Sequence, residues 1–274
     1  MQTIWHLGQA AILGLVQGIT EFLPISSSGH LIVARELLHL NDPGIFFDAV
    51  LHLATLLAVL IYFREDWWQM LFSNKTKSAS KKILVANRRL LWLIILATIP
   101  GLIVGLVGSN WIESHWRSLV SVAALMIVMG LVYLIFEKFI KLSQSRKNLT
   151  SWDALSIGLS QALAILPGIS RSGATLLGGM YVGLSRAEAA RFSFLMAAPV
   201  VAAAGGYGLY ESLVAKSVSG DYGFWLVAFV ASFISGLLAI GWLLKFYQKY
   251  SLKGFAYYLV IAGLGLLAYH FLIR

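Results

Sequence analysis

The chain has 274 residues, 59% of the hydrophobic set, no Cys and only 12% charged, where an ordinary soluble domain carries roughly 25% charged residues. That excludes a disordered chain, a coiled coil, a disulfide scaffold and a Cys-ligated zinc or iron–sulfur centre. With a mean hydropathy of +0.79, it points to an all-α polytopic membrane protein. The net charge of +9, from 21 Lys and Arg against 12 Asp and Glu, reads as cytoplasmic-loop charge and not as a nucleic-acid site, because no RNA-module motif accompanies it.

In chain order, the first apolar region, residues 7–40, is broken at its centre by Phe22-Leu23-Pro24-Ile25-Ser26-Ser27-Ser28-Gly29-His30. Three uninterrupted apolar stretches follow at 46–63, 90–107 and 119–136, each long enough to cross about 30 Å of hydrocarbon. A second broken region, 154–183, carries Leu166-Pro167-Gly168-Ile169-Ser170-Arg171-Ser172-Gly173-Ala174-Thr175. Three more spans follow it at 192–210, 224–244 and 255–273. Proline removes an amide donor, and broken backbone at membrane depth is tolerated only where protein buries it or it lines a wet cavity. Both broken regions therefore read as re-entrant helix hairpins, with kinked full spans as the other reading. No basic segment precedes the first apolar region, so no cleavable signal peptide is expected.

Loop charge sets the expected topology. Arg64, Lys75, Lys77, Lys81, Lys82, Arg88 and Arg89 follow the first span; Lys138, Lys141, Arg146 and Lys147 follow the third; Lys245, Lys249 and Lys253 follow the fifth. The intervening loops are poorer in charge, with Glu113 and Arg117 in one and Glu211, Lys216 and Asp221 in the other. Positive-inside puts the first group in the cytoplasm and both termini outside. Trp67, Trp68, Trp111 and Trp116 read as interface anchors.

The two broken regions repeat one another. At an offset of 144, Gly14, Leu15, Gln17, Ile25, Ser26, Ser28 and Gly29 match Gly158, Leu159, Gln161, Ile169, Ser170, Ser172 and Gly173, seven identities in sixteen positions. Chance would give about one at ordinary residue frequencies. Three spans follow each copy, and three is odd, so the second copy is expected upside down. The reading is one membrane domain of two inverted-topology repeats, about 7–137 and 151–273, with the site where the broken helices converge.

Ionisable groups inside such segments are functional candidates by default. Glu21 lies four residues after Gln17, so both share a helix face aimed at the first break. Glu21 is a candidate base or cation ligand, with Gln17 beside it; capping of backbone amides is the plainer role. Ser26, Ser28 and Gly29 in one break and Ser170, Ser172, Gly173 and Thr175 in the other are candidate phosphate donors, because Ser- and Gly-rich helix starts suit anions; simple helix capping is the alternative. Ser27 is a candidate nucleophile, with Glu21 or His30 to take its proton. Arg171 suits a phosphate by its planar fork, or pairs with Glu21 for structure alone; both roles put the hairpins in contact. A lipid-tailed phosphate ester fits this set. An inverted-repeat transporter of a lipid phosphate or small anion is the rival reading. Asp48 and His52, four apart on one helix face, read either as groups supporting the site from behind or, the favoured reading, as a polar seam between helices, and Gln161 as a partner of Gln17 across the pseudo-twofold. Glu188 and Arg191 read as interfacial, pairing with Arg186.

The segment Gln17-Gly18-Ile19-Thr20-Glu21-Phe22-Leu23-Pro24-Ile25-Ser26-Ser27-Ser28-Gly29-His30 resembles the first signature of the undecaprenyl-diphosphatase, or bacitracin-resistance, family. Pro167-Gly168-Ile169-Ser170-Arg171-Ser172-Gly173-Ala174-Thr175 resembles its second, and the similarity runs over essentially the whole chain. The resemblance implies a membrane hydrolase that removes one phosphate from a polyprenyl diphosphate lipid, undecaprenyl diphosphate, and so recycles the carrier for peptidoglycan synthesis. It also implies a divalent cation, magnesium or calcium, and a site facing the outer side of the bacterial inner membrane. A homodimer is compatible with it. Gln17 stands where the family carries Glu or Gln, which leaves Glu21 as the only carboxylate of that motif.

Overall fold

The computed structural model describes residues 2–40, 44–72, 87–139, 148–215 and 221–272; within them are eleven α-helices and no strand. They are α1 (Gln2–Phe22), α2 (Ser27–Leu37), α3 (Ile45–Tyr62), α4 (Arg64–Phe72), α5 (Arg88–Trp116), α6 (Leu119–Phe139), α7 (Ser151–Leu163), α8 (Arg171–Tyr181), α9 (Arg186–Val214), α10 (Tyr222–Phe246) and α11 (Lys253–Leu272). Six of them, α3, α5, α6, α9, α10 and α11, are long and apolar enough to cross a bilayer, and they fall on the six expected spans. The most apolar 18-residue window within Arg88–Gly108 has a mean hydropathy of 2.6, yet only 33% of it is buried. Residues such as Ile95, Ile99, Leu106 and Val107 point outward. A surface of that kind calls for lipid as its solvent. Helix α4 was not foreseen: its Arg64-Glu65-Asp66 start hides a short amphipathic turn, with Met70 buried and Trp68 exposed. Lys75, Lys77, Lys81, Lys82, Lys141, Arg146, Lys147, Lys216 and Ile273 lie outside the described residues.

Both broken regions are helix–break–helix. The first break separates α1 from α2 at residues 23–26, the second separates α7 from α8 at 164–170. At 1.5 Å per residue, the 13 residues of α7 and the 11 of α8 reach roughly 20 and 16 Å, short of about 30 Å of hydrocarbon.

The most extensive helix packings are α1 on α10, α6 on α11, α3 on α9 and α5 on α7. Two of the repeated glycines explain two of them. A Cβ on Gly14 would stand 2.3 Å from the Ala228 carbonyl of α10, and one on Gly158 would stand 2.4 Å from the Ala97 carbonyl of α5. Small residues let membrane helices approach at backbone distance, where dispersion and weak polar contacts replace the missing hydrophobic drive. Elsewhere the core is aromatic and aliphatic. Phe22, at the first break, meets Phe194 of α9 edge-on at 5.5 Å, and both are fully buried.

Charged residues pair where helix ends meet. Arg186 holds Glu137 through two hydrogen bonds of 3.0 and 2.6 Å, and Glu137 also accepts from the Leu252 amide at 2.9 Å. Arg191 pairs with Asp66 beyond the end of α3. Arg186 thus chooses Glu137 and not Glu188, whose carboxylate instead closes a capping box with Ser185 at the start of α9. Helix-start geometry outcompetes an ion pair within one turn. Gln161 is buried, and among the described residues neither polar atom of its carboxamide has a partner; it lies beside Gly101 and not on Gln17.

Candidate intramembrane phosphate site

The breaks bring two helix starts together. Ser26 caps α2, accepting from the Gly29 amide at 3.4 Å, and Ser170 caps α8, accepting from the Gly173 amide at 3.2 Å. The caps satisfy amides that a helix start otherwise leaves open. Each break also ties to the other. The Gly168 amide donates to Ser26 Oγ at 3.1 Å, and the Ser172 and Ser170 hydroxyls reach the Leu23 carbonyl at 2.8 and 3.4 Å. Ser26 has φ 73°, a left-handed conformation rare for a residue with a side chain. Such strain costs on the order of 1–3 kcal/mol and persists where surrounding contacts over-determine it.

This turn delivers Ser27 to Glu21. The Ser27 hydroxyl donates to Glu21 Oε2 at 2.8 Å, the Gln17 amide donates to the same oxygen at 3.1 Å, and Arg171 Nη2 donates to Oε1 at 3.0 Å. Arg171 also reaches the Glu21 carbonyl at 3.3 Å. The Glu21 side chain is 5% exposed and that of Arg171 14%, so the pair works in a desolvated setting. Arg171 Nη1 and Gln17 Oε1 are buried without a hydrogen-bond partner among the described residues. A donor and an acceptor left open beside a hydroxyl–carboxylate pair are what an incoming anion and its counter-cation would fill.

His30 stands apart from that pair. Its Nδ1 is 2.8 Å from the Ser26 carbonyl and its Nε2 is 2.7 Å from the Tyr258 hydroxyl on α11. A carbonyl only accepts, so Nδ1 carries the hydrogen, and in the neutral ring Nε2 accepts from Tyr258. The ring therefore braces the strained Ser26 backbone, while the group that meets Ser27 is Glu21. Thr175 is also placed differently from the phosphate role: it is fully buried, with its hydroxyl 2.5 Å from that of Ser193 on α9. Gly173 makes room for Tyr133, whose hydroxyl donates to the Pro24 carbonyl at 2.9 Å. No spacing in the sequence announces Tyr133 or Tyr258, which lie 109 and 228 residues from their partners.

A cavity of about 260 Å³ adjoins the hairpins, lined by Gln17, Ser28 and Pro167 on their side. It is also lined by Arg35 of α2, by Asp48 and His52 of α3 and by Arg117 past the end of α5. Asp48 and His52 line this cavity, and Asp48 also makes a polar seam between helices, since its carboxylate on α3 meets Arg35 of α2. Asp48 takes the Arg35 guanidinium directly and lies 3.6 Å from Arg117, and His52 Nδ1 bonds the Asp48 carbonyl at 2.7 Å. Among the described residues no three His, Asp or Glu side chains gather as a metal centre. The oxygens at hand are those of the Glu21 carboxylate and the open Gln17 Oε1, on the amide whose nitrogen meets Glu21. That fits a hard divalent cation held mostly by phosphate and water oxygens.

A hydroxyl on a carboxylate, closed by a guanidinium where two broken helices meet among the six span-length helices of the described residues, defines an integral membrane protein with a desolvated polar site between its hairpins. The chain belongs to the bacitracin resistance protein BacA family, whose sequence profile matches residues 10–265. It is 40% identical over 257 residues to an undecaprenyl-diphosphatase of Corynebacterium glutamicum (strain ATCC 13032), covering 93% of this chain and 88% of that protein. It is likewise 40% identical over 256 residues to the undecaprenyl-diphosphatase of Rubrobacter xylanophilus, covering 92% and 94%. Over 260 residues it is 40% identical to that of Myxococcus xanthus, covering 94% and 87%.

Proposed function

We propose that this protein hydrolyses undecaprenyl diphosphate to undecaprenyl phosphate and inorganic phosphate, returning the lipid carrier to peptidoglycan synthesis and conferring bacitracin resistance. The observation that carries the chemistry is the Ser27 hydroxyl donating at 2.8 Å to a carboxylate whose other oxygen is held by Arg171. Glu21 takes the Ser27 proton as Oγ attacks the terminal phosphorus. The bond from that phosphorus to the bridging oxygen breaks, and undecaprenyl phosphate leaves as an anion. Water then cleaves the phosphoserine and frees inorganic phosphate. Arg171, through its open Nη1, bears the charge that builds on the phosphoryl oxygens. Glu21 and Gln17 Oε1 would hold magnesium or calcium, which supplies charge neutralisation at the phosphate when bound.

The orientation follows the same logic. The cavity is lined by Asp48 near the start of α3 and by Arg117 past the end of α5, the end whose loops are poor in Lys and Arg. Positive-inside makes that the outer face of the bacterial inner membrane. The repeat identities, and the matched roles of Gly14 and Gly158, support two inverted repeats.

The test is phosphate release from undecaprenyl diphosphate by detergent-purified protein, where transport has no compartments to act between. Wild type is expected to turn over. Ser27→Ala and Glu21→Gln are each expected to lose at least about 10³-fold in kcat, on the scale of removing a nucleophile or its base. Full activity in Ser27→Ala would remove the phosphoserine in favour of direct water attack. Wild-type turnover in Arg171→Ala would remove the whole assignment.

A further inference from the structure

Hydrolysis through a phosphoserine leaves one proton without an acceptor. In its first half Glu21 takes the hydrogen of Ser27 as Oγ bonds to phosphorus, so the carboxylate ends that half protonated. In the second half water attacks the phosphoserine and the bond from Ser27 Oγ to phosphorus breaks. Glu21 returns its hydrogen to the departing Oγ, the reverse of the first transfer. One hydrogen of the water stays on the phosphate. The other needs a base that is neither Ser27 nor Glu21. A cation on Glu21 and Gln17 would offset phosphoryl charge, but it carries no proton away.

The cavity beside the hairpins holds few bases. Its polar lining is Gln17, Ser28, Arg35, Asp48, His52 and Arg117. Guanidiniums and a carboxamide take up no proton near neutral pH, and the Asp48 carboxylate is engaged by Arg35. His52 differs. Its Nδ1 is 2.7 Å from the Asp48 carbonyl. A carbonyl only accepts, so Nδ1 carries the ring hydrogen and Nε2 keeps its lone pair. That lone pair has no hydrogen-bond partner among the described residues, and the ring is half-buried on the cavity wall instead of sealed in the core. His30, by contrast, has both nitrogens occupied, by the Ser26 carbonyl and by Tyr258. The charges lining the same cavity as His52 are Asp48, one turn earlier on α3, Arg35 from α2 and Arg117 from beyond α5.

The same cavity reaches the reacting pair from the other side. Ser28 adjoins the nucleophile in sequence, and the Gln17 amide donates to Glu21 Oε2 at 3.1 Å. A compact volume of 260 Å³ is on the order of 8 Å across, with room for a phosphoryl group and a water.

We propose that His52 Nε2 is the base that takes a proton from the water that cleaves the phosphoserine formed at Ser27. This rests on the phosphatase reading above and on its covalent route. The water oxygen bonds to phosphorus, the Oγ–phosphorus bond breaks, Oγ recovers its hydrogen from Glu21, and one water hydrogen passes to Nε2. The imidazolium then gives that proton to cavity water. It is the one proton that hydrolysis of a diphosphate ester sets free near neutral pH.

The test uses full-length protein in detergent and undecaprenyl diphosphate labelled with ³²P in its terminal phosphate. Acid quenching reads three quantities: undecaprenyl phosphate formed, phosphate released, and label held on the protein as phosphoserine. His52→Ala is expected to give a burst of undecaprenyl phosphate equal to the protein present, then phosphate release slowed by about 10²-fold, with label retained on Ser27. The burst itself reports a folded site, because the first half needs Glu21 and Arg171 in place. Added imidazole is expected to restore phosphate release by at least ~10-fold, since it supplies the missing base. His52→Gln keeps an acceptor but holds no proton, and is expected to stay as slow as His52→Ala. Wild-type phosphate release in His52→Gln overturns the proposal. So does a loss of both products together without retained label or imidazole rescue, the mark of a purely structural side chain. Full activity in Ser27→Ala removes the phosphoserine and this role with it, while the phosphatase stands. Failure of wild type to release phosphate sinks the phosphatase reading itself.

Discussion

Gly173→Ala is the sharpest test of how the second hairpin is seated. A Cβ at residue 173 would stand 1.6 Å from Tyr133 Oη and 2.8 Å from Cζ, with Pro24 Cβ at 3.2 Å. The first distance is about 1.8 Å short of an ordinary 3.4 Å contact. Tyr133 is fully buried on α6 and cannot swing into solvent. Its hydroxyl would have to leave the Pro24 carbonyl, or α8 would have to retreat. Overpacking of this kind costs about 1–3 kcal/mol, and stranding a buried carbonyl adds about 1–3 kcal/mol. The expected loss is thus about 2–6 kcal/mol, with Arg171 displaced from Glu21 by the same retreat. Thermal unfolding in detergent and phosphate release would read both. Tyr133→Phe deletes the clashing oxygen and leaves a milder 2.8 Å approach, so the double variant is expected to be less damaged than the sum of the singles. Gly173→Ala with wild-type stability and turnover would refute the packing account.

Two further predictions follow from contacts that cross the bundle. Tyr258→Phe removes the donor to His30 Nε2 but leaves Nδ1 on the Ser26 carbonyl. A 3- to 10-fold fall in kcat with little change in KM is expected, together with a changed imidazole ¹⁵N shift, corresponding to about 1 kcal/mol for one hydrogen bond; unchanged kcat and shift would sever Tyr258 from the site. Glu137→Ala strands Arg186 and the Leu252 amide in a spot where the carboxylate is 4% exposed. Removing one partner of such a pair costs about 3–5 kcal/mol, so a large drop in melting temperature is expected while KM of any folded fraction stays at the wild-type value.

Much of the site was legible because its key contacts are local or repeated. Gln17 and Glu21 share a face by helical period alone, and Pro24 and Pro167 mark where backbone must break. The costs of an intramembrane Glu and Arg then force Glu21 and Arg171 together across 150 residues. What stayed hidden depends on which apolar spans lie side by side. Spans of similar hydropathy carry almost no code for neighbours, so Tyr133 against Gly173, Tyr258 against His30 and Arg117 against Asp48 left no periodic trace. Thr175 was misread for the same reason: its motif neighbours line the break, but one helical turn later it faces Ser193. Helix α4 was concealed by charge, since Arg64, Glu65 and Asp66 look like loop until Asp66 finds Arg191.

The cross-hairpin bonds also bear on biosynthesis. By the time residue 40 has left the ribosome, the chain already contains Ser27 and Glu21, yet the amide that holds Ser26 belongs to Gly168 and the cation that neutralises Glu21 belongs to Arg171. Until those residues are synthesised and inserted, Glu21 has no guanidinium to meet and Ser26 has less to hold its left-handed turn. The enzyme is therefore assembled in one late step. A chain truncated between the two hairpins would lack both contacts, and a nascent one cannot complete the site before its second half has docked.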